Sequence, residues 1–423
     1  MNAQRRPLID RSLPLLAEGY AWLPNRMRDS AGPVLATRLL GRPALAVRGP
    51  DAVRFFYDET RVRRHGALPE PVRGTLFGHG AVHTLDGDAH RARKEYFLPL
   101  LDPHSVAGVT EHVTAAWDEA VRSWGERSRV VLFEEAGVAL ARGVSRWAGL
   151  PDAGAEETRR TAGDLLAMVD GFAAAGPRHW RARRARGRQE DRLARLVEEV
   201  RAGTATAPDG SMLDRVVRHR DLTGELLDAK TAAVELLNVI RPTTAVTWFV
   251  VFSAHALHRW PDHRGRLRSG DAAFATAWAH EVRRFYPFAP FLGGRAVRDL
   301  TWHGETLPAG GIVLLDVYGQ NHDEALWGDP YAFRPERFLD RAVRADDLIP
   351  QGGGDPRTGH RCPGERVTVG LLEALAVRLA RLEYTLPGQD LSIPLRRIPT
   401  RPRSGVVLTG VRAPAGTLDT LSA

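Results

Sequence analysis

The sequence predicts a mainly α-helical protein with small β-sheets, arranged as one domain over residues 1–423. The segment 230–260 is apolar nearly all round, which is typical of a helix buried inside a large helical protein. The β-like runs are short, and they lie before and after the helical middle of the chain. No Gly/Ser-rich or Pro-rich linker is long enough to mark a domain boundary, so one large domain is the simplest arrangement.

In the first half of the chain, a β-hairpin is predicted at about 34–48, because apolar runs flank Gly41-Arg42-Pro43. Gly49-Pro50-Asp51 then predicts the start of a short helix. From 105 to 201 the pattern is helical, with breaks at 149–154 and 176–177. The last part of this stretch, 178–201, carries nine arginines and four acids, which predicts a solvated helix face.

The second half follows the long helix 230–260 with a further helix at 271–286, for which Asp271 is a candidate N-cap. Four short runs then predict strands at 291–297, 311–316, 382–386 and 405–411. A glycine-rich loop at about 351–365 precedes a last helix at 367–383.

The composition excludes several classes of protein. One cysteine cannot form an intrachain disulfide or a multi-cysteine zinc or iron–sulfur site. The 59 basic and 51 acidic residues give a net charge of +8, but the basic residues are spread along the chain among acids, so no nucleic acid partner is expected. The N-terminus lacks a secretory signal, and no window reaches ~20 uncharged apolar residues. A cytoplasmic protein without stable membrane insertion is therefore expected.

The single cysteine, Cys362, lies in the glycine-rich loop, directly before a helix. The helix N-terminus and the neighbouring His360 and Arg361 favour a thiolate. A lone thiolate is typically a nucleophile or a haem ligand, and the third possibility is a buried structural cysteine.

Three motifs in the second half of the chain resemble the haem-thiolate, or cytochrome P-450, superfamily. His360-Arg361-Cys362-Pro363-Gly364 resembles the haem loop, although Asp355 and Thr358 stand where the family has Phe and Gly, and 351–354 replaces its usual lead-in. Glu281 and Arg284 match the family's Glu-x-x-Arg, for which a surface ion pair is the alternative. The segment 329–338 resembles the family's aromatic-Pro-Glu-Arg-Phe segment, and the resemblance implies that Arg337 lies beside Glu281 and Arg284.

The resemblance implies the P-450 fold, in which the long central helix lies over a haem b whose iron is bound by Cys362. Glu281, Arg284 and Arg337 would form the structural network of that fold. His90 and Lys94 lie one helical turn apart, which suits the haem propionates, with an exposed helix pair as the alternative. The remaining candidate cofactor contacts are His360 and Gln351.

The centre of the long helix departs from the common family pattern, because Arg241 and Pro242 replace the acid and threonine that deliver protons to iron-bound dioxygen. Proline removes a helical hydrogen bond, so a kink is expected there. A guanidinium among apolar residues needs a carboxylate. Glu235 is one possible partner, and the carboxylate of a substrate is the other, in which case the substrate would do the missing acid–base work.

The Arg241-Pro242 pair resembles the bacterial fatty-acid peroxygenase branch, which uses hydrogen peroxide and needs no redox partner. The resemblance implies long-chain fatty acids as substrates and α- or β-hydroxy acids or terminal alkenes as products. His83 matches the distal position near the iron, and its proton exchange favours alkene formation unless it is a spectator. Aromatic side chains match the fatty-acid channel, or are ordinary core: Phe77, Phe172, Phe288 and Phe291.

Two other functions compete with this one. A dioxygen-dependent monooxygenase supplied by a ferredoxin or flavodoxin would fit the fold, with arginines near Cys362 docking an acidic partner. A binding protein without haem, with a buried structural cysteine, is the alternative from another class.

Overall fold

The computed structural model describes residues 9–28, 30 and 32–412. Its helices are α1 (Ser12–Glu18), α2 (Trp22–Arg28), α3 (Pro50–Tyr57), α4 (Glu70–Val72), α5 (Gly87–Lys94), α6 (Pro103–Trp124), α7 (Leu132–Trp147), α8 (Ala155–Gly171), α9 (Pro177–Arg201), α10 (Met212–Arg218), α11 (Ala229–Thr244), α12 (Thr247–Arg259), α13 (Arg264–Ser269), α14 (Ala272–Phe285), α15 (Val317–Asn321), α16 (Glu324–Trp327) and α17 (Glu365–Arg381). The mainly α fold predicted from the sequence is confirmed.

The strands form three small sheets. They are β1 (Val34–Leu39), β2 (Arg42–Val47), β3 (Val62–Arg63), β4 (Val130–Val131), β5 (Phe291–Ala296), β6 (Leu300–Trp302), β7 (Glu305–Leu307), β8 (Ile312–Asp316), β9 (Glu383–Thr385) and β10 (Val407–Arg412). The largest sheet has the order β1-β2-β8-β5-β3, in which only the β2–β8 pair is parallel. The five predicted strand regions are all present, whereas β3, β4, β6 and β7, of two or three residues, are too short to show an alternating pattern.

The hairpin between β1 and β2 closes through the two residues Leu40 and Gly41, since Leu39 pairs with Arg42. Their φ angles are +51° and +73°, both in the left-handed region. Such two-residue turns favour Asn-Gly, because a residue with a Cβ atom is strained there. Leucine in this conformation costs about 1 kcal/mol.

The predicted helix 230–260 is two helices, α11 and α12, which are separated at Ala245 and Val246. Asp228 caps the first by accepting a hydrogen bond from the Thr231 N–H. Pro242 lies within α11, and the break comes after it, where the Val246 N–H donates to the Thr243 carbonyl in a tighter turn. The kink expected at Pro242 is therefore displaced by one turn towards the C-terminus.

The stretch Ala229–Arg259 is long and apolar enough to span a membrane by length and composition, but 94% of its most apolar window is buried inside the protein. It packs within the largest hydrophobic cluster, together with side chains of α6, α7 and α17. This is the position of a core helix.

Helix α9 corrects one expectation, since its arginines do not all lie on a solvated face. Arg186 is only 2% exposed. Its Nε donates to Glu190, and its two terminal nitrogens donate to the carbonyls of Leu76 and Phe77 at 2.8 and 2.9 Å. Composition alone could not distinguish this buried arginine from its exposed neighbours.

The burial of His280 predicts that the fold loses stability in acid. The ring accepts a hydrogen bond from Arg283 at 3.0 Å, and burial together with the Arg283 charge lowers the pKa of His280 from 6.5 to about 4. The unfolded chain therefore binds this proton more readily, so stability is lost as pH falls from about 6.5 to about 4.

Unfolding of wild type and His280→Gln, measured by denaturant at about pH 7 and about pH 4.5, checks this expectation. Glutamine keeps an acceptor for Arg283 but does not titrate. The variant should lose about 2 kcal/mol less stability than wild type over this interval. Equal losses in the two proteins would contradict a neutral His280.

Candidate active site

The loop that carries Cys362 is held by backbone contacts and by close packing. The Cys362 N–H donates to the Gln351 carbonyl at 3.2 Å, and Gly364 is the N-cap of α17. A Cβ atom on Gly352 would approach the Tyr57 hydroxyl to 2.3 Å, and one on Gly353 would approach Val53 to 2.3 Å. These glycines are therefore required by the close approach of α3.

Gln351, a candidate cofactor contact, is held between α14 and the cysteine loop. Its side-chain oxygen accepts a hydrogen bond from Arg283 Nε at 2.8 Å, and its carbonyl receives the Cys362 N–H. Gln351 thus connects α14 to the cysteine loop.

The charges around Cys362 also differ from those expected. Arg361 Nε donates to Glu365 at 2.7 Å, and His360 lies 3.4 Å from Asp86 Oδ1, so both neighbours are engaged by acids. Burial raises the pKa of the Cys362 thiol, whereas the Gly364 N–H and the charges of Lys94 and Arg283 act in the opposite direction. The cations that favour the thiolate therefore come from α5 and α14.

Helix α5 brings His90 and Lys94 against this loop. The two side chains are 1% and 3% exposed, so the exposed-pair alternative is wrong. Lys94 Nζ donates to the carbonyls of Gly359 and Arg361 at 2.7 and 2.9 Å, and burial lowers its pKa to about 8. The His90 ring stacks on His360 at 3.9 Å between centroids.

These residues fit a haem. Burial lowers the pKa of His90 to about 3, and its Nδ1 has no hydrogen-bond partner among the residues that the structure describes. His360 and the partly buried Arg64 lie near enough to influence that pKa. A concentration of buried nitrogen donors beside a lone cysteine suits a ligand with carboxylate arms and an iron.

On the opposite side of the site, Arg241 projects from α11 and is 5% exposed. Its Nη2 donates to Asn238 Oδ1 at 3.1 Å, while its Nε has no partner in the described part of the chain. Burial and the charge of Arg186 lower the pKa of Arg241 to about 9, and the charge of Cys362 acts to raise it. Arg241 is thus a buried cation without an anionic partner among the described residues.

Glu235, the possible internal partner of Arg241, is engaged elsewhere. Its Oε1 accepts a hydrogen bond from Arg93 at 2.9 Å and another from the Val82 N–H at 2.8 Å. The Glu235–Arg241 ion pair considered from the sequence is therefore absent, because α5 and the loop before it supply closer partners.

His83 and Phe77 lie on the loop that faces Arg241. The Phe77 and His83 rings are 4.4 Å apart, and the Arg241 guanidinium lies 5.9 Å from the Phe77 centroid. Burial and the Arg241 charge hold the pKa of His83 well below its usual range, and its Nδ1 has no partner among described residues. The imidazole is therefore neutral near neutral pH.

A set of polar contacts that sequence reasoning missed fixes this loop. Asn238 Nδ2 and Arg186 both donate to the Phe77 carbonyl at 2.9 Å. Arg93 donates to the Gly80 carbonyl as well as to Glu235. Asn238 and Arg241 are three residues apart on one helix, and this spacing is the only signal that could have indicated their contact.

The other three candidate channel residues lie further along the molecule. Phe288 packs on Phe249 at 5.1 Å, while Phe291 packs on the small cluster around Trp22. Phe172 is half-buried at the C-terminal end of α8. Of the four candidate channel residues, Phe77 thus lies beside Arg241 and His83, whereas the other three pack against other parts of the protein.

The Glu281–Arg284 pair is fully buried, with both side chains 0% exposed, so the surface-pair alternative is wrong. Arg284 Nε and Nη2 donate to the two carboxylate oxygens at 2.7 and 2.8 Å. Arg337 approaches the same carboxylate at 3.2 Å, and the Arg334 N–H donates to it at 2.7 Å. The predicted three-residue network is present.

Comparison with known proteins decides the family. The family model described as Cytochrome P450 matches residues 271–395, which include the Glu281 network and the Cys362 loop. Putative cytochrome P450 137 of Mycobacterium tuberculosis is 30% identical over 399 residues, covering 88% of this chain and 82% of that protein. The chain belongs to the cytochrome P450 family.

Solved structures are more similar still. A structure of cytochrome P450SP alpha (CYP152B1) is 39% identical with a TM-score of 0.92, covering 96% of this P450 and 100% of that chain. Cytochrome P450 OleT, solved as a variant in complex with arachidonic acid, is 37% identical with a TM-score of 0.92 over 97% and 99% of the two chains. Cytochrome P450EX alpha (CYP152N1) with myristic acid is 35% identical with a TM-score of 0.91 over 96% and 98%.

These relatives represent the fatty-acid peroxygenase and decarboxylase branch of the cytochromes P450, so the branch predicted from the sequence is confirmed. The protein is therefore a haem-thiolate oxidoreductase. Cys362 is the only cysteine in the chain, and hence the only residue that can supply the thiolate.

Proposed function

We propose that this P450 uses hydrogen peroxide to oxidise long-chain fatty acids, giving α- or β-hydroxy fatty acids, terminal alkenes or both. The observation that carries the proposal is the buried guanidinium of Arg241, which has no anionic partner among the described residues. The fatty acids bound to cytochromes P450 OleT and P450EX alpha support the substrate class.

Arg241 binds the substrate carboxylate in this proposal. Its Nη2 donates to Asn238 and its Nε has no partner among the described residues, so the guanidinium retains N–H groups that can form a charge-assisted contact with a carboxylate. The Phe77 ring lies beside the guanidinium and shields the ion pair from water. This contact fixes the carboxyl end, so that the α and β carbons are the ones presented to the oxidising centre.

The bound carboxylate also replaces the acid–alcohol pair that this chain lacks. Pro242 has neither a hydroxyl group nor a backbone N–H, so it cannot transfer a proton. When bound through Cys362, the haem supplies the iron that activates peroxide and oxidises the C–H bond. A carboxylate held at Arg241 can accept and return the proton in this step, so neither dioxygen nor a redox partner protein is required.

The proximal residues hold the cofactor. His90, Lys94 and His360 bind the haem propionates, and Gln351 and Arg283 fix the loop that presents Cys362. We assign all of these parts to a single cytoplasmic catalytic domain. Phe77, Phe172, Phe288 and Phe291 are proposed to follow the acyl chain.

Product analysis tests the proposal. The purified, haem-loaded protein is given a long-chain fatty acid and hydrogen peroxide without a reductase, and the products are identified by mass spectrometry. Hydroxy acids or terminal alkenes are expected. Turnover that requires dioxygen with a ferredoxin or flavodoxin and its reductase would assign the monooxygenase function instead.

His83 is proposed to direct the products. Its neutral imidazole can accept a proton next to the bound substrate, whereas a glutamine in the same place cannot. His83→Gln should raise the ratio of hydroxy acid to alkene by roughly tenfold or more, without loss of haem. The matched control is His79→Gln, which changes an exposed histidine of the same loop. An unchanged ratio in His83→Gln would show that His83 is a spectator.

A further inference from the structure

Three exposed leucines lie near one another at the N-terminal edge of the protein, outside the active site. Leu13 and Leu16 are one turn apart on α1 and are 78% and 63% exposed, and Leu40 at the tip of the β1–β2 hairpin is 64% exposed. Ser12 Oγ accepts a hydrogen bond from the Leu40 N–H at 2.7 Å, which ties α1 to the hairpin tip. We call these three residues the N-terminal apolar patch.

Leu40 is unusual in two independent ways. It has a positive φ of 51° in a turn that favours asparagine or glycine, so its backbone is strained. Its side chain is also exposed, so the strain is not offset by burial in the core. A strained, exposed leucine is best explained by an apolar surface outside the chain.

The inner side of α1 packs on a cluster that contains one candidate channel residue. Leu15, between the two exposed leucines, packs on the cluster around Trp22, which also receives Leu35 of β1 and Phe291 of β5. The patch and the candidate channel residue Phe291 therefore share one small cluster.

The charges around the patch are mainly positive. Arg11, Arg38 and Arg42 lie on α1's N-terminal side and along the hairpin. Two acids lie there among the described residues: Asp10, which accepts hydrogen bonds from the Ser12 and Gly41 N–H groups and has the Arg38 charge nearby, and Glu18, which is paired with Arg26 at 2.7 Å. Leucines flanked by arginines fit a membrane of anionic lipid, since the apolar chains enter the headgroup boundary and the guanidinium groups contact phosphate.

We propose that the N-terminal apolar patch docks this enzyme on the surface of anionic phospholipid membranes. The α1 helix has only seven residues, so it lies along the surface and does not cross the bilayer. Docking places the cluster that contains Phe291 next to the phase in which long-chain fatty acids concentrate. The docking itself is independent of which oxidant or product the enzyme uses.

Flotation of the purified holoenzyme with vesicles tests this proposal. Vesicles of equal parts phosphatidylcholine and phosphatidylglycerol should carry the wild-type protein, and binding should fall steeply when phosphatidylglycerol is omitted or salt is raised. Leu40→Asn should lower the partition coefficient roughly tenfold, because one leucine no longer enters the interface. Asparagine accepts a positive φ, so this variant should melt no lower than wild type.

A matched control distinguishes the patch from general surface hydrophobicity. Leu222 is 62% exposed in a loop far along the chain, and Leu222→Asn should leave vesicle binding unchanged. Wild-type protein that fails to float with anionic vesicles, or equal losses in Leu40→Asn and Leu222→Asn, would overturn the proposal. It would also be overturned if analytical ultracentrifugation found a dimer that Leu40→Asn dissociates, since the patch would then join two copies of this chain.

Discussion

Replacing Arg241 with alanine should abolish peroxide-driven turnover of fatty acids while haem remains bound. A charge-assisted contact in a buried site contributes several kcal/mol, so kcat/KM should fall by a factor of about 100 to 1,000 or more. Both the binding of the carboxylate and its position for proton transfer are lost. The measurement is the rate of product formation, with a carbonyl-difference spectrum to count the haem-thiolate enzyme.

The stability of this variant gives an independent check. Arg241 has no anionic partner among the described residues, so its removal leaves no buried acid unpaired. Arg241→Ala should therefore melt at or above the wild-type temperature, since an uncompensated buried charge is removed. Asn238→Ala is the matched control, because it keeps the Arg241 charge and removes only the hydrogen bonds of Asn238 to Arg241, the Phe77 carbonyl and Glu235, and it should lose less activity. Near-normal turnover in Arg241→Ala would contradict its role as the carboxylate anchor.

Replacing Glu281 with glutamine should destabilise the protein more than any surface change. The carboxylate receives two hydrogen bonds from Arg284, one from the Arg334 N–H and the charge of Arg337, and it is 0% exposed. Loss of its charge leaves buried guanidinium groups uncompensated, which costs about 3–5 kcal/mol. Urea unfolding and the haem content of the purified protein are the measurements.

The pair Glu157–Arg160 offers a control with the same spacing. Its side chains are 33% and 66% exposed, so Glu157→Gln should cost less than about 1 kcal/mol and keep full haem content. A Glu281→Gln protein that unfolds at the same urea concentration as Glu157→Gln would contradict a structural role for the buried network.

Local sequence patterns account for most of the fold. Asp271 capping α14 and the hairpin near Gly41 depend on residues adjacent in the chain, and both were predictable. The displaced break after Pro242 was not, because it depends on how α11 and α12 pack in the core.

The active site likewise has parts that the sequence could predict and parts that it could not. Cys362 and the Arg241-Pro242 pair stand out because their residue types conflict with a plain loop or an apolar helix. By contrast, the contact between Arg93 and Glu235 joins residues 142 positions apart, and Arg186 reaches the Phe77 carbonyl from 109 positions away. Contacts of this kind leave no periodic signal in one sequence, so only the folded chain reveals them.

Those long-range contacts fix the Arg241 side of the site relative to the Cys362 side. Glu235 joins α11 to Arg93 of α5 and to the Val82 N–H, while α5 also carries His90 and Lys94. The loop with Phe77 and His83 is thereby fixed to both the central helix and the helix that approaches the cysteine loop.

The most direct test of the account compares a long-chain fatty acid with the primary alcohol of the same chain length. Purified enzyme receives each compound with hydrogen peroxide and without a reductase, and the oxidised products are quantified. If the substrate carboxylate, held by Arg241, supplies the acid–base group, the acid is oxidised and the alcohol is not, although both can fill the same channel. Equal oxidation of the two compounds would contradict the account.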